Sequence, residues 1–268
     1  MSDLPRRLAV ALWGIPLLLL ALYFGGIFLA GLISLLLLLL SREWKSLGQY
    51  AGADVSLASL WTGAAAILFL QFSSADKLSL SLVILALLVL FAAEIFRASA
   101  SPLRSLGHLA LWLLYVVAPI SLWWAIRDWG SVANSTGREW LIALFLSVWV
   151  ADTAAYAFGK IAGRHPLCVK ASPNKTWEGA AAGLLLAPLA PAILKGCHLS
   201  DFAWLDVAMF AVIVGVFGQA GDLLESLMKR EAGLKDTSHF LPGHGGLLDR
   251  FDSLLLATPA LYLYLLIR

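Results

Sequence analysis

The feature that most constrains this chain is a succession of long apolar runs nearly free of charge. They fall at about residues 8–24, 27–40, 57–72, 78–93, 107–126, 140–158, 177–194, 203–221 and 254–267. A hydrocarbon core about 30 Å thick takes roughly 20 helical residues, so several runs are short for it. The run at 203–221 can continue as helix to about Arg230. Lipid offers no partners for backbone N–H and C=O groups, so a span must satisfy them internally. The runs are rich in Leu and Ala and do not alternate, which favours helices over a membrane β-barrel. The expected fold class is all-α, a polytopic integral membrane helical bundle of about nine transmembrane helices.

Composition agrees. Hydrophobic residues make up 60% of the 268 and charged residues 13%, against about 25% charged in soluble domains. The net charge of +2 comes without a dense basic cluster, which argues against nucleic acid as a partner. Cys168 and Cys197 lie far apart and outside any metal-ligand spacing, which argues against zinc. Arg6 and Arg7 precede the first run as in a signal peptide, but no small-x-small site closes it. It reads as a retained span.

Threading nine spans from a cytoplasmic N-terminus puts 14 of the 19 lysines and arginines on the cytoplasmic side. The positive-inside rule favours that orientation. Trp123, Trp124, Trp129 and Trp140 flank the loop between the fifth and sixth spans and read as an interfacial aromatic belt. Asn134-Ser135-Thr136 matches a glycosylation sequon, a weak signal. The chain divides in character. Residues 1–137 are spans with plain loops; residues 138–268 carry two polar stretches, both on the predicted cytoplasmic side.

The longer stretch, Ser226 to Asp252, reads SLMKREAGLKDTSHFLPGHGGLLDRFD. On a helix Asp222, Ser226 and Arg230 recur at i+4 and share a face with Lys229. Asp249 and Asp252, three apart, share a face where the last span begins. Gly245 and Gly246 allow a tight turn or close approach to a ligand, and N–H groups in such a turn can cradle an anion. Carboxylates suit a hard cation, and Lys and Arg suit phosphates. Together they meet the needs of a nucleoside triphosphate with Mg²⁺. A solvated loop with interfacial charges is the plainer alternative.

The second stretch is Ser172-Pro173-Asn174-Lys175-Thr176-Trp177-Glu178-Gly179. Ser172 is placed to cap a helix with Pro173 at its first position, and such a helix start favours phosphate. A simple capped entry remains open. The Walker A pattern is absent. Asp152 lies within an apolar run, in Ala151-Asp152-Thr153-Ala154-Ala155-Tyr156. An intramembrane carboxylate points to function by default, with an interfacial Asp as the alternative.

These residues resemble the phosphatidate cytidylyltransferase, or CDP-diacylglycerol synthase, family. Its signature has the form S-x-[apolar]-K-R-x4-K-D, a small residue two on, then P-x-H-G-G-[apolar]-x-D-R-[apolar]-D. Ser226, Lys229, Arg230, Lys235, Asp236 and Ser238 fall in place, followed by Pro242, His244, Gly245, Gly246, Asp249, Arg250 and Asp252. The resemblance is detailed over about 150–256 and general over the first half. It implies a nine-span helical bundle that takes CTP and phosphatidic acid as substrates and makes CDP-diacylglycerol and pyrophosphate. It implies Mg²⁺ at Asp222 and Asp249, with a second, monovalent cation such as K⁺ in at least one member.

On that reading Asp252 and Asp152 stand beside the metal. Lys229, Arg230, Lys235 and Arg250 hold CTP and pyrophosphate oxygens, in the segment that also contains Asp236. Ser172, Asn174, Lys175 and Thr176 hold a phosphate; His244, Gly245 and Gly246 shape the turn around the nucleotide. A homodimer is compatible with the sequence without being required by it. Compact loops and the lack of a targeting sequence suggest a bacterial inner membrane, with the site facing the cytoplasm. The rivals are a CTP-dependent polyprenol kinase and, from another class, an anion transporter. Transporters often carry related halves with interrupted spans, whereas here the polar residues gather in one half.

Overall fold

The computed structural model describes residues 4–73, 77–97, 99–130, 136–238 and 245–268. The helices follow the apolar runs. They are α1 (Leu4–Phe24), α2 (Gly26–Tyr50), α3 (Leu57–Phe72), α4 (Lys77–Arg97), α5 (Pro102–Arg127), α6 (Thr136–Ala162), α7 (Trp177–Gly196), α8 (Trp204–Glu231) and α9 (Asp252–Ile267). Among the described residues five helices are long and apolar enough to cross a membrane, and the other four contribute the shorter apolar segments Leu12–Phe24, Leu57–Phe72, Leu78–Ala93 and Asp252–Ile267. The chain is an all-α polytopic membrane protein. Helix α8 runs through Glu231, well past the apolar run that begins it, and α2 continues ten residues past Leu40 to Tyr50.

Two strands interrupt the all-helical plan. β1 (Pro166–Cys168) and β2 (Ser172–Thr176) pair antiparallel between α6 and α7. Ser172 therefore does not cap a helix. It begins a strand, and the cap falls on Thr176, whose Oγ1 accepts from Gly179 N at 3.2 Å. Thr176 holds the extended conformation that an N-cap requires, with Gly179 at the third helical position.

The aromatic belt is also corrected. Trp123 and Trp140 have no exposed surface. Trp123 donates to Thr258 Oγ1 at 3.1 Å, and Trp140 stacks on Phe210 at 5.8 Å. They sit near helix ends in sequence, but α9 and α8 pack across them, so they fill the core. Trp124 and Trp129 are half-buried. The sequon at Asn134 involves residues outside those described. Cys168 and Cys197 are both free thiols.

Two helices are cut by π turns, Trp112–Val117 in α5 and Ile213–Gly218 in α8. Such turns bulge the backbone and re-aim side chains. Tyr115, inside the first, donates to the Gly221 carbonyl of α8 at 3.1 Å. Helices α6 and α7 meet along a seam of small residues. A Cβ at Gly179 would lie 2.5 Å from the Ala155 carbonyl and 3.1 Å from Gly159 Cα. Small residues let the two backbones approach this closely, which brings the α7 start and the hairpin up against the end of α6.

The polar segments collect at one end of the bundle. Arg97 pairs with Asp54 at 3.0 Å, and Asp54 N donates to Ser105 Oγ at 3.0 Å. Arg230 reaches the Ala171 carbonyl of the hairpin at 3.4 Å. At the other end the cations are tied down locally. Arg127 donates to the Leu22 and Tyr23 carbonyls at 2.9 and 3.0 Å, and Arg268 pairs with Asp206 at 2.9 Å.

Candidate active site

Four elements converge on a cavity of about 610 Å³, within the range of small-molecule sites. Helix α6 contributes Asp152, Tyr156 and Lys160, spaced i, i+4 and i+8 on one face. The hairpin contributes Asn174, Lys175 and Thr176, α8 contributes Gln219 and Asp222, and the entry to α9 contributes Asp249, Arg250 and Asp252. Asp152, the short polar stretch and the C-terminal end of the long one, together with Asp222 just before it, therefore line one cavity.

Each of two facing carboxylates carries a lysine. Lys175 Nζ pairs with Asp222 Oδ2. Lys229 Nζ lies 2.5 Å from Asp249 Oδ1, and from the other side 3.2 Å from Glu225 Oε1. Glu225 is wholly buried, so Lys229 bridges two carboxylates beneath the cavity floor.

Asp249 is held through both carboxylate oxygens. Its Oδ2 accepts from Gly246 N at 2.8 Å and from Thr237 N and Thr237 Oγ1, each at 3.1 Å. Burial pushes the Asp249 carboxyl up, but the Lys229 ammonium and the Gly246 and Thr237 N–H groups outweigh it and hold it below the usual carboxylate range. Gly246 leaves no room for a side chain, since a Cβ there would fall 1.9 Å from Thr237 Oγ1 and 2.8 Å from Asp249 Oδ2. Gly245 has φ of +80°, the left-handed region that glycine adopts without strain.

Some expected site residues lie elsewhere. Arg230 donates to the Ala171 and Leu234 carbonyls and braces the hairpin against the end of α8. Ser226 is buried and touches the site only through a long 3.5 Å contact to Asp222. Lys235 and Asp236 are exposed outside the cavity lining, and Ser172 sits at the far end of β2. Gly245 and Gly246 shape the turn beside Asp249 and do not line the cavity. His244 lies outside the described residues.

Three contributors escaped the sequence reading. Lys160 and Gln219 line the cavity, and helical spacing from Asp152 and Asp222 would have pointed to them. Glu43, on α2, accepts hydrogen bonds from Thr237 and Leu247, both of which lie before Asp249 in the chain. No motif in the first half marked it.

Four carboxylates line one cavity, and carboxylate oxygens suit Mg²⁺. Among the described residues no three acidic, His or Cys side chains converge into a ready metal cage.

Fold and site together define an integral membrane protein whose polar cavity sets carboxylates against lysines and an arginine. The cytidylyltransferase family profile matches residues 5–268, and the chain belongs to that family. Similar curated relatives include a phosphatidate cytidylyltransferase of Staphylococcus aureus (strain COL), 44% identical over 136 residues, and one of Staphylococcus haemolyticus (strain JCSC1435), 43% identical over 136 residues. Each match covers 50% of this chain and 51% of the relative, so the chain spans about half the length of the curated relatives it matches.

Proposed function

We propose that this protein transfers the cytidylyl group of CTP to phosphatidic acid, giving CDP-diacylglycerol and pyrophosphate. The observation that carries the reading is the single cavity in which Asp222 and Asp249 each stand against a lysine, with Arg250, Lys160 and Asn174 around them. A site that must hold two polyanions and a divalent cation needs both signs of charge within one opening.

A phosphatidate oxygen attacks the α-phosphorus of CTP in line. The new P–O bond forms as the bond from the α-phosphorus to the bridging oxygen breaks, and pyrophosphate leaves with the electron pair. A phosphate monoester has its second pKa near 6 and is largely dianionic at pH 7. No strong base is needed, and the work is positioning and charge stabilisation. Lys175, Asn174 and Arg250 hold nucleotide phosphates. Lys160, at the end of α6, holds the phosphate of the lipid. Mg²⁺ would be held by Asp222 and Asp249, with Asp152 and Asp252 beside them, and would supply charge neutralisation at the transferring and leaving phosphates. A monovalent cation could share the same carboxylates.

The cavity end of the bundle faces the cytoplasm of a bacterial inner membrane in this reading. Its support is the excess of lysine and arginine in the segments gathered there.

The test uses purified protein with phosphatidic acid, Mg²⁺ and CTP labelled separately at the α- and γ-phosphates. Label from the α position in lipid, with pyrophosphate released, is the expected result. Label from the γ position would make the protein a lipid kinase. No transfer from either position would turn attention to other lipid acceptors and then to transport.

A further inference from the structure

Glu43 falls three residues past Leu40, where the second apolar run ends, yet it is only 5% exposed. No lysine or arginine among the described residues pairs with it. Its charge is met by hydrogen bonds instead. Oε1 accepts from Ser238 Oγ at 2.5 Å and Leu247 N at 2.8 Å. Oε2 accepts from Thr237 Oγ1 at 3.2 Å and Leu248 N at 2.8 Å. One carboxylate on α2 thus joins residues 237–238 to residues 247–248, the latter directly before Asp249.

The chemistry of the four donors selects a carboxylate. An ionised carboxylate only accepts, with room for two hydrogen bonds on each oxygen, and charge-assisted bonds are about twice as strong as neutral ones. A glutamine would turn its NH₂ toward either Leu247 N or Leu248 N, neither of which can rotate away. An aspartate would fall short by about one carbon–carbon bond, ~1.5 Å. The Thr237 hydroxyl carries one hydrogen and faces two acids, Glu43 Oε2 at 3.2 Å and Asp249 Oδ2 at 3.1 Å. Glu43 and Asp249 therefore share a donor, and a change at one alters what the other receives.

We propose that Glu43 is a positioning residue for the transfer reaction. Its carboxylate, carried by the first half of the chain, ties the hydroxyls of residues 237–238 to the backbone at 247–248, directly before Asp249, and so sets Asp249 at the cavity. The proposal rests on the cytidylyltransferase reading above.

The test compares wild type, Glu43→Gln and Glu43→Asp as full-length protein in lipid nanodiscs, by steady-state kinetics and amide hydrogen exchange. Glu43→Gln is expected to lower kcat about 10- to 100-fold, the usual range for a supporting partner of a metal site. KM for both substrates should stay within about threefold, because the contacts that bind substrate are intact. Exchange at Leu247 and Leu248 should accelerate while α5 and α9 keep wild-type protection. Glu43→Asp should recover part of the loss. Thr237→Val should cost less in the Glu43→Gln background than in wild type, because both changes act on one contact.

Wild-type kcat in Glu43→Gln would overturn the proposal. So would a loss matched by faster exchange across every helix, which is the mark of general destabilisation. Should Glu43→Gln fail to insert, Ser238→Ala and Thr237→Val each remove one donor and carry the same test. Lower kcat with faster exchange confined to 247–248 supports the proposal, and wild-type kcat in both defeats it. A wild-type protein that transfers no label defeats the functional reading, and the catalytic part of this proposal with it. Exchange at Leu247 and Leu248 then still decides whether Glu43 holds the segment.

Discussion

Lys229 Nζ lies 2.5 Å from Asp249 Oδ1, closing a gap of 20 positions between the end of α8 and the entry to α9. The contact converts a run of charges into a fixed frame. Lys229 is 7% exposed and Asp249 accepts three further hydrogen bonds, so neither is free to drift. The cavity residues Asp222 and Arg250 are anchored on either side of it.

Asp249→Asn should abolish turnover without preventing membrane insertion. The amide would turn an NH₂ toward either the Lys229 ammonium or the Gly246 and Thr237 donors, and the charge that balances Lys229 would be lost. The expected fall in kcat is about 100-fold or more, the scale of losing a fixed electrostatic partner. Near-normal turnover in a properly inserted variant would refute the role of Asp249 as a charged centre of the site.

Lys175→Ala removes the cation paired with Asp222. The strand places it in the cavity, so the loss should fall on nucleotide binding. KM for CTP should rise about tenfold or more, the equivalent of one charge-assisted hydrogen bond. Unchanged kinetic constants would reduce the hairpin to scaffolding for the start of α7.

Lys160 lines the cavity with no ion-pair partner among the described residues. Lys160→Gln should raise KM for phosphatidate about tenfold while leaving KM for CTP nearly unchanged. The opposite split would assign Lys160 to the nucleotide and move the lipid phosphate toward the hairpin.

The α6–α7 seam makes a separate prediction about stability. Gly179→Val would set a branched side chain where even a Cβ meets the Ala155 carbonyl at 2.5 Å. Overpacking of this kind costs about 1–3 kcal/mol. Thermal unfolding in detergent should drop accordingly, whereas Gly107→Val, at a position with no heavy atom within 4 Å of a Cβ, should leave it nearly unchanged.

Much of this architecture was legible in sequence. Apolar runs report burial in lipid directly, so the helices appear where the runs are. The site was legible where residues crowd together, as from Asp249 to Asp252, or where a carboxylate interrupts an apolar run, as at Asp152. The hairpin was harder. Ser172-Pro173 carries the local signature of a helix start, and only pairing with Pro166–Cys168 makes it a strand. Trp123 and Trp140 misled because position along a span does not say which face of it meets a neighbour. Glu43 was invisible for a different reason. Its four donors lie about 200 positions away, two of them backbone N–H groups that leave no trace in residue identity.

The reach of Glu43 also bears on how the protein is made. Leu248 follows Glu43 by 205 positions. At about 5–20 residues per second, synthesis separates the two by roughly 10–40 s. Throughout that interval α2 holds an acid whose partners do not yet exist, at a helix end where water can still reach it. The nascent chain can place nearly all its spans before this acid is enclosed. Catalytic competence should then arrive late and abruptly, when the last residues of the Asp249 turn leave the ribosome, and a chain arrested before Leu248 should be inserted yet inert.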